Sequence, residues 1–167
     1  MLPKGPLILP RILSLGFAAA LAAVSGCSSL GTRLSNPRRT LPPTPPLAKA
    51  VIRTAKSYLP EAEQNRQTPV DCSDFVRKVF LQNGLDLPRT SREMARCGDR
   101  VTSTKDLRMG DLVFFSGEKR SHIVGHVGIY VHNGIFIHLP SSGVVVEESL
   151  YSDYFRQRYL TARRIIP

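Results

Sequence analysis

The 167-residue chain has no tryptophan, only three cysteines, and 13 acidic residues against 23 lysines and arginines. Three cysteines cannot build a closed disulfide framework. Its longest mostly apolar run, residues 12 to 24, falls short of the roughly 18 residues that a membrane-crossing helix needs. The other apolar residues are dispersed, which excludes a polytopic membrane protein. No internal repeat is visible, and neither a Cys-x-x-Cys nor a His-Glu-x-x-His element is present. What is there is ordinary for a globular protein, 42% hydrophobic and 22% charged residues. The length suits one domain and little more.

The first 26 residues carry Lys4 and Arg11 and no acid, followed by the apolar run and then Val24-Ser25-Gly26-Cys27. This is the layout of a cleaved export signal. The tetrapeptide resembles a bacterial lipobox, which implies diacylation of Cys27 on sulfur and removal of everything before it. Several acyl chains on one cysteine would hold the protein firmly on a leaflet. The alternative is an ordinary secreted protein cleaved near Cys27. In a Gram-negative cell Ser28 is not the aspartate of an inner-membrane retention signal, so the outer membrane, facing the periplasm, is the expected location. Loss of the leader leaves a balance of +8. Export makes nucleic acid a poor partner for this basic chain, whereas envelope phosphates and carboxylates are available to it.

Residues 27 to 46 are rich in proline and small polar residues without apolar periodicity, and read as a tether. The folded domain is expected over 47–167. A helix is predicted from Leu47 to Leu59, ended by Pro60, and a second from Cys72 to about Asn83, with Phe75, Val76, Val79 and Phe80 as its apolar stripe. Thr90-Ser91 starts a short third helix. The period then changes to strands, 111–115, 125–131, 135–139, 144–147 and 159–165, with a helical turn near 150–156. Helices first and a mostly antiparallel sheet afterwards make an α+β domain.

Cys72 stands at a helix amino terminus on the apolar face. There the free backbone N–H groups and the helix dipole favour a thiolate, and the same N–H groups suit an oxyanion. A thiolate nucleophile also needs an imidazole. His126 opens one predicted strand and His138 ends the next. A two-residue Asn133-Gly134 turn would put them on opposite faces. A three-residue His132-Asn133-Gly134 loop pairs Val131 with Ile135 and Gly128 with His138. It gathers both histidines on one face, with Val127, Ile129, Val131, Ile135, Ile137 and Leu139 on the other. The apolar pattern selects this register, with His126 as base, His138 as its orienting partner, and Gly128 leaving room beside His138. Competing readings are a buried inert Cys72, a Cys72–Cys97 disulfide, and a zinc site from His122, His126, His132 and His138, whose spacing is poor.

Asp71-Cys72-Ser73 before Phe75-Val76, Leu87-Pro88-Arg89-Thr90-Ser91, Gly110-Asp111-Leu112-Val113-Phe114-Phe115, Gly125-His126-Val127-Gly128-Ile129-Tyr130 and Phe136-Ile137-His138 together resemble the NlpC/P60 family of papain-like cell-wall cysteine peptidases. The resemblance implies Cys72 as nucleophile, His126 as general base and His138 as third residue. It also implies hydrolysis of peptidoglycan stem peptides at γ-D-glutamyl-diaminopimelate or D-alanyl-diaminopimelate bonds, with no metal or other cofactor. Asp71 and Ser73 are expected substrate contacts, and a monomer is expected. Two departures stand out. The family's tyrosine and paired glycines before the cysteine are replaced by Tyr58-Leu59-Pro60-Glu61-Ala62-Glu63, and Asp74 replaces the glycine two residues after the cysteine. A catalytically weak wall-binding lipoprotein, or an amidase or acyltransferase on another substrate, is the rival reading.

Overall fold

The computed structural model describes residues 44–62, 68–117 and 121–167. The expected leader, Cys27 and the tether up to residue 43 lie outside the described residues. Three helices come first: α1 (Pro46–Lys56), α2 (Cys72–Leu81) and α3 (Ser91–Met94). The strands are β1 (Asp99–Val101), β2 (Leu112–Ser116), β3 (Val124–His132), β4 (Ile135–His138), β5 (Val146–Ser149) and β6 (Tyr159–Arg164), with α4 (Asp153–Arg156) between the last two. One six-stranded sheet runs in the order β1-β6-β2-β3-β4-β5, and all its pairings are antiparallel. The α+β class is therefore as expected. The three-residue β1 was not foreseen, because so short a segment carries no period of its own and becomes a strand only by pairing with β6.

The local signals explain the helix ends. Pro46 occupies the first turn of α1, where a missing N–H costs nothing. Thr90 and Glu93 form a reciprocal capping box that starts α3. In α2, Phe75, Val76, Val79 and Phe80 are fully buried and face the sheet.

The sheet is covered on both faces. Residues from α1, α2 and α3 pack on Val127, Ile129, Val131, Ile137 and Leu139 to make the main core. The opposite face carries a smaller core of Val113, Phe115, Tyr130, Phe136 and Phe155. That second cover comes from α4, so the histidine face of β3 and β4 is also buried.

The β3–β4 hairpin resolves the register in a way the sequence reading did not state. Ile129 pairs with Ile137 and Tyr130 with Phe136, but His132 pairs with Ile135, so a bulge falls at Val131. Asn133 (φ 50°) and Gly134 (φ 80°) form a two-residue turn with both residues left-handed. The expected three-residue loop and Val131–Ile135 pair are thus replaced by a tight turn plus a bulge. One extra residue in β3 restores the register that a three-residue loop would give, so the histidines share a face. Ile135, displaced by the bulge, is only partly buried.

Candidate active site

Asp71 fixes the start of α2. Its backbone is extended and its carboxylate accepts the Asp74 N–H at 2.8 Å, a regular amino-terminal cap. The same carboxylate accepts from the Ser73 hydroxyl at 2.7 Å. Arg89, on the segment before α3, completes the cluster, donating to Asp71 Oδ2 at 2.6 Å, to Oδ1 at 3.1 Å and to Ser73 Oγ at 3.0 Å. The Arg89 guanidinium holds the Asp71 carboxyl well below the usual carboxylate range. Asp71 and Ser73 are thus held rigidly beside Cys72 by an arginine that the sequence showed only as part of a motif.

The Cys72 side chain packs on the helix-side core. The backbone N–H groups of Val127, Ser73 and Cys72 itself favour the charged form of its sulfur. That core includes Val127, the residue after His126 on β3. Burial pushes the Cys72 thiol above its ordinary range, and the Asp71 charge adds to this, while the three N–H groups oppose it. The expected lowering by the helix terminus is overturned, because losing water costs the thiolate more than the N–H groups return.

His126 Nε2 lies 2.7 Å from His138 Nδ1, and His138 Nε2 lies 2.7 Å from Glu148 Oε2. His126 consequently keeps Nδ1 for a second partner. His138 is 1% exposed and is flanked by the rings of Phe136 and Phe155 at 4.8 and 5.3 Å. Burial lowers both imidazoles to about 4, and His138 adds to the effect on His126 while Glu148 opposes it. Both rings are therefore neutral at pH 7. On this side the site opens into a cavity of about 560 Å³ whose walls include His126, His138, Glu148, Ser116 and Tyr154. His122 and His132 are exposed and apart from this pair. Cys72 and Cys97 are both free thiols, with the Cys97 sulfur 3.5 Å from the Glu93 carbonyl.

A thiol at a capped helix start, two neutral imidazoles in series and a carboxylate behind them are the groups that a thiol nucleophile, its base and the base's orienting partners require. The chain matches the model of the NlpC/P60 family over residues 58–164. It belongs to that family. It is 40% identical over 98 residues to the Escherichia coli K12 protein named murein DD-endopeptidase MepS/murein LD-carboxypeptidase, covering 58% of this chain and 50% of that one. It is 38% identical over 101 residues to the Bacillus subtilis bifunctional muramidase/DL-endopeptidase CwlT, covering 60% and 30%. The chain therefore spans half or less of the length of these two relatives. Among solved structures, an NlpC/P60 protein from Bacillus cereus superposes with a TM-score of 0.62 at 30% identity, covering 75% of this chain and 42% of that one. The papain-like α+β expectation agrees with these findings.

Both departures from the family pattern have a structural account. Tyr58 stacks edge-on against Phe75 at 5.6 Å, and its hydroxyl accepts from Gln82, at the end of α2 opposite Cys72, at 2.8 Å. Asp74 pairs with Lys78 at 2.9 Å and accepts the Val70 N–H at 3.0 Å. Its charge is thus engaged, and Asp71 is the anion that acts on the thiol. Glu148 was not anticipated, since the expected strand ended at Glu147 and the pairing of β5 with β4 is set by a connection whose course the residue pattern does not reveal.

Proposed function

We propose that this chain is a bacterial envelope lipoprotein that hydrolyses amide bonds in peptidoglycan stem peptides, such as γ-D-glutamyl-diaminopimelate or D-alanyl-diaminopimelate, through a Cys72 acyl-enzyme. The observation that carries the reading is the Cys72 thiol at the capped start of α2, packed on the core that contains Val127, with the adjacent His126 backed by His138. With the thiol raised and the imidazole neutral, the resting state is a neutral pair. His126 Nδ1 takes the thiol proton as sulfur attacks the carbonyl carbon. The helix-start N–H groups of Cys72 and Ser73 suit the developing oxyanion. The His126 imidazolium returns the proton to the leaving amine as the C–N bond breaks. Water then attacks the thioester, giving its proton to His126, and the thiol is regenerated. Asp71 and Ser73, clamped by Arg89, are placed to contact the substrate beside Cys72.

Acylation of Cys27 would tether this domain to the membrane surface, at the outer membrane of a Gram-negative cell, with residues 28–45 as the spacer before α1 begins at Pro46. Mass spectrometry of defined muropeptides incubated with the reduced full chain and with Cys72→Ala tests the enzymatic reading. Products from the parent alone support it and identify the bond. Products from both proteins, or from neither across a broad stem-peptide panel, sink it in favour of a wall-binding role or another substrate. Mass analysis of the mature protein from a bacterial host tests acylation at Cys27.

A further inference from the structure

We propose that Glu148 is a positioning residue that sets the tautomers of both histidines, so that His126 presents an unprotonated Nδ1 to Cys72. The inference deepens the reading of this site as a cysteine peptidase and rests on it. Strand β5 carries two adjacent glutamates. Alternation sends them to opposite faces, Glu147 to Lys56 on α1 at 2.9 Å and Glu148 to the histidine face. Glu148 lies opposite Phe136 in the β4–β5 ladder, which places it diagonally beside His138.

The proton positions follow from the contacts. A carboxylate only accepts, so the His138 nitrogen 2.7 Å from Glu148, Nε2, carries that ring's proton. A neutral imidazole has one N–H, so His138 Nδ1 is a lone pair. The 2.7 Å contact to His126 then requires the proton to sit on His126 Nε2, which leaves His126 Nδ1 as the basic nitrogen. The reverse arrangement would aim the His138 Nε2 lone pair at the carboxylate and put a proton on His126 Nδ1, where it could not accept one from the thiol. Without Glu148 nothing in the pair distinguishes the two arrangements. When His126 becomes imidazolium, its Nε2–H still donates to His138, whose other end remains anchored on the carboxylate. Burying His138 between Phe136 and Phe155 leaves these two contacts as the partners of its ring nitrogens.

The test compares the full chain in detergent micelles with Glu148→Leu, which removes the acceptor, and Glu148→Gln, whose amide oxygen still accepts from Nε2–H. Glu148 is half-exposed on an edge strand, and thermal melts establish that each variant is folded. The readouts are the ¹⁵N shifts of the imidazole nitrogens, the alkylation rate of Cys72 by iodoacetamide, and kcat and KM on a muropeptide that the parent cleaves. The parent should show single Nε2–H tautomers at both histidines. Glu148→Leu should show mixed tautomers, slower alkylation, and kcat lower by on the order of 10–100-fold with KM within about twofold. Glu148→Gln should keep the tautomers and recover most of kcat. Unchanged imidazole shifts and alkylation in Glu148→Leu would overturn the proposal, as would Glu148→Gln losing as much as Glu148→Leu. The imidazole shifts and alkylation need no substrate, so they decide the role of Glu148 even if no muropeptide is cleaved and the peptidase reading fails.

Discussion

His126 Nε2 and His138 Nδ1 face one another at 2.7 Å with both rings held neutral by burial, so the folded pair resists taking up protons from solvent. Folding therefore depends on pH in a defined window. Each ring falls from an ordinary value of 6.5 in the unfolded chain to about 4 in the folded one. Above 6.5 neither state binds these protons and stability is independent of them. Between 6.5 and 4 the unfolded chain takes up protons that the folded one refuses, so stability falls as pH falls. The slope reaches roughly 1.4 kcal/mol per pH unit for each histidine. Urea midpoints measured from pH 7 to pH 4 should drop across this range, and His138→Asn should remove part of the slope. A flat midpoint down to pH 4.5 would contradict neutral, buried rings.

The same electrostatics predict how the Cys72 thiol reacts without substrate. Burial raises the thiol while the imidazole is lowered, so the resting pair is thiol and neutral imidazole instead of thiolate and imidazolium. Inactivation by iodoacetamide should climb continuously from pH 6 to pH 9 and beyond, following the thiol. A preformed ion pair would instead give a plateau beginning near pH 5. Cys97, the other free thiol among the described residues, gives the internal reference, and Cys72→Ala should abolish the inactivating reaction while leaving Cys97 modification intact.

Asp111 anchors the carboxyl-terminal strand. Its side chain is 2% exposed and accepts from Arg164 at 2.9 and 2.7 Å, with the Arg108 N–H adding a third contact at 2.8 Å. Arg164 ends β6, which links β1 to β2, so this pair ties the chain's last strand to the start of β2. Removing one partner of a buried ion pair leaves the other uncompensated. Asp111→Ala should cost about 3–5 kcal/mol in urea unfolding, with Asp111→Asn less severe because the amide oxygen still accepts. A loss under 1 kcal/mol in Asp111→Ala would show that water solvates Arg164 in place.

The histidine pair was legible in the sequence because an apolar stripe on alternate residues of β3 and β4 admits one face for His126 and His138. The means by which the hairpin achieves it was not. Asn133-Gly134 favours a two-residue turn, and the bulge at Val131 that reconciles this with the stripe leaves no compositional mark. Glu148 was illegible for a related reason, since its reach to His138 depends on the β4–β5 register. The helix start at Cys72 was readable from Asp71, but the sign of its thiol shift was not. That sign depends on how much water the packed core removes, which only the tertiary arrangement determines.

The space at Gly128 shows how an apolar contact governs the relay. The sequence suggested that Gly128 leaves room beside His138, but the room is taken by Phe136. A Cβ on Gly128 would sit 2.6 Å from the Phe136 ring and 3.1 Å from the Ile137 carbonyl oxygen. Phe136 is fully buried and contacts Phe115, Phe155 and His138, so its ring cannot retreat without pressing on the imidazole. Gly128→Ala should therefore cost about 1–3 kcal/mol from overpacking and also disturb the 2.7 Å His126–His138 contact. Pairing it with Phe136→Leu, which shortens the obstructing side chain, should recover part of both losses if the clash is their cause. Thermal melts and Cys72 alkylation rates on the two single variants and the double variant measure the coupling. Additive effects would show that Gly128 is required by the strand backbone and not by the aromatic ring over the relay.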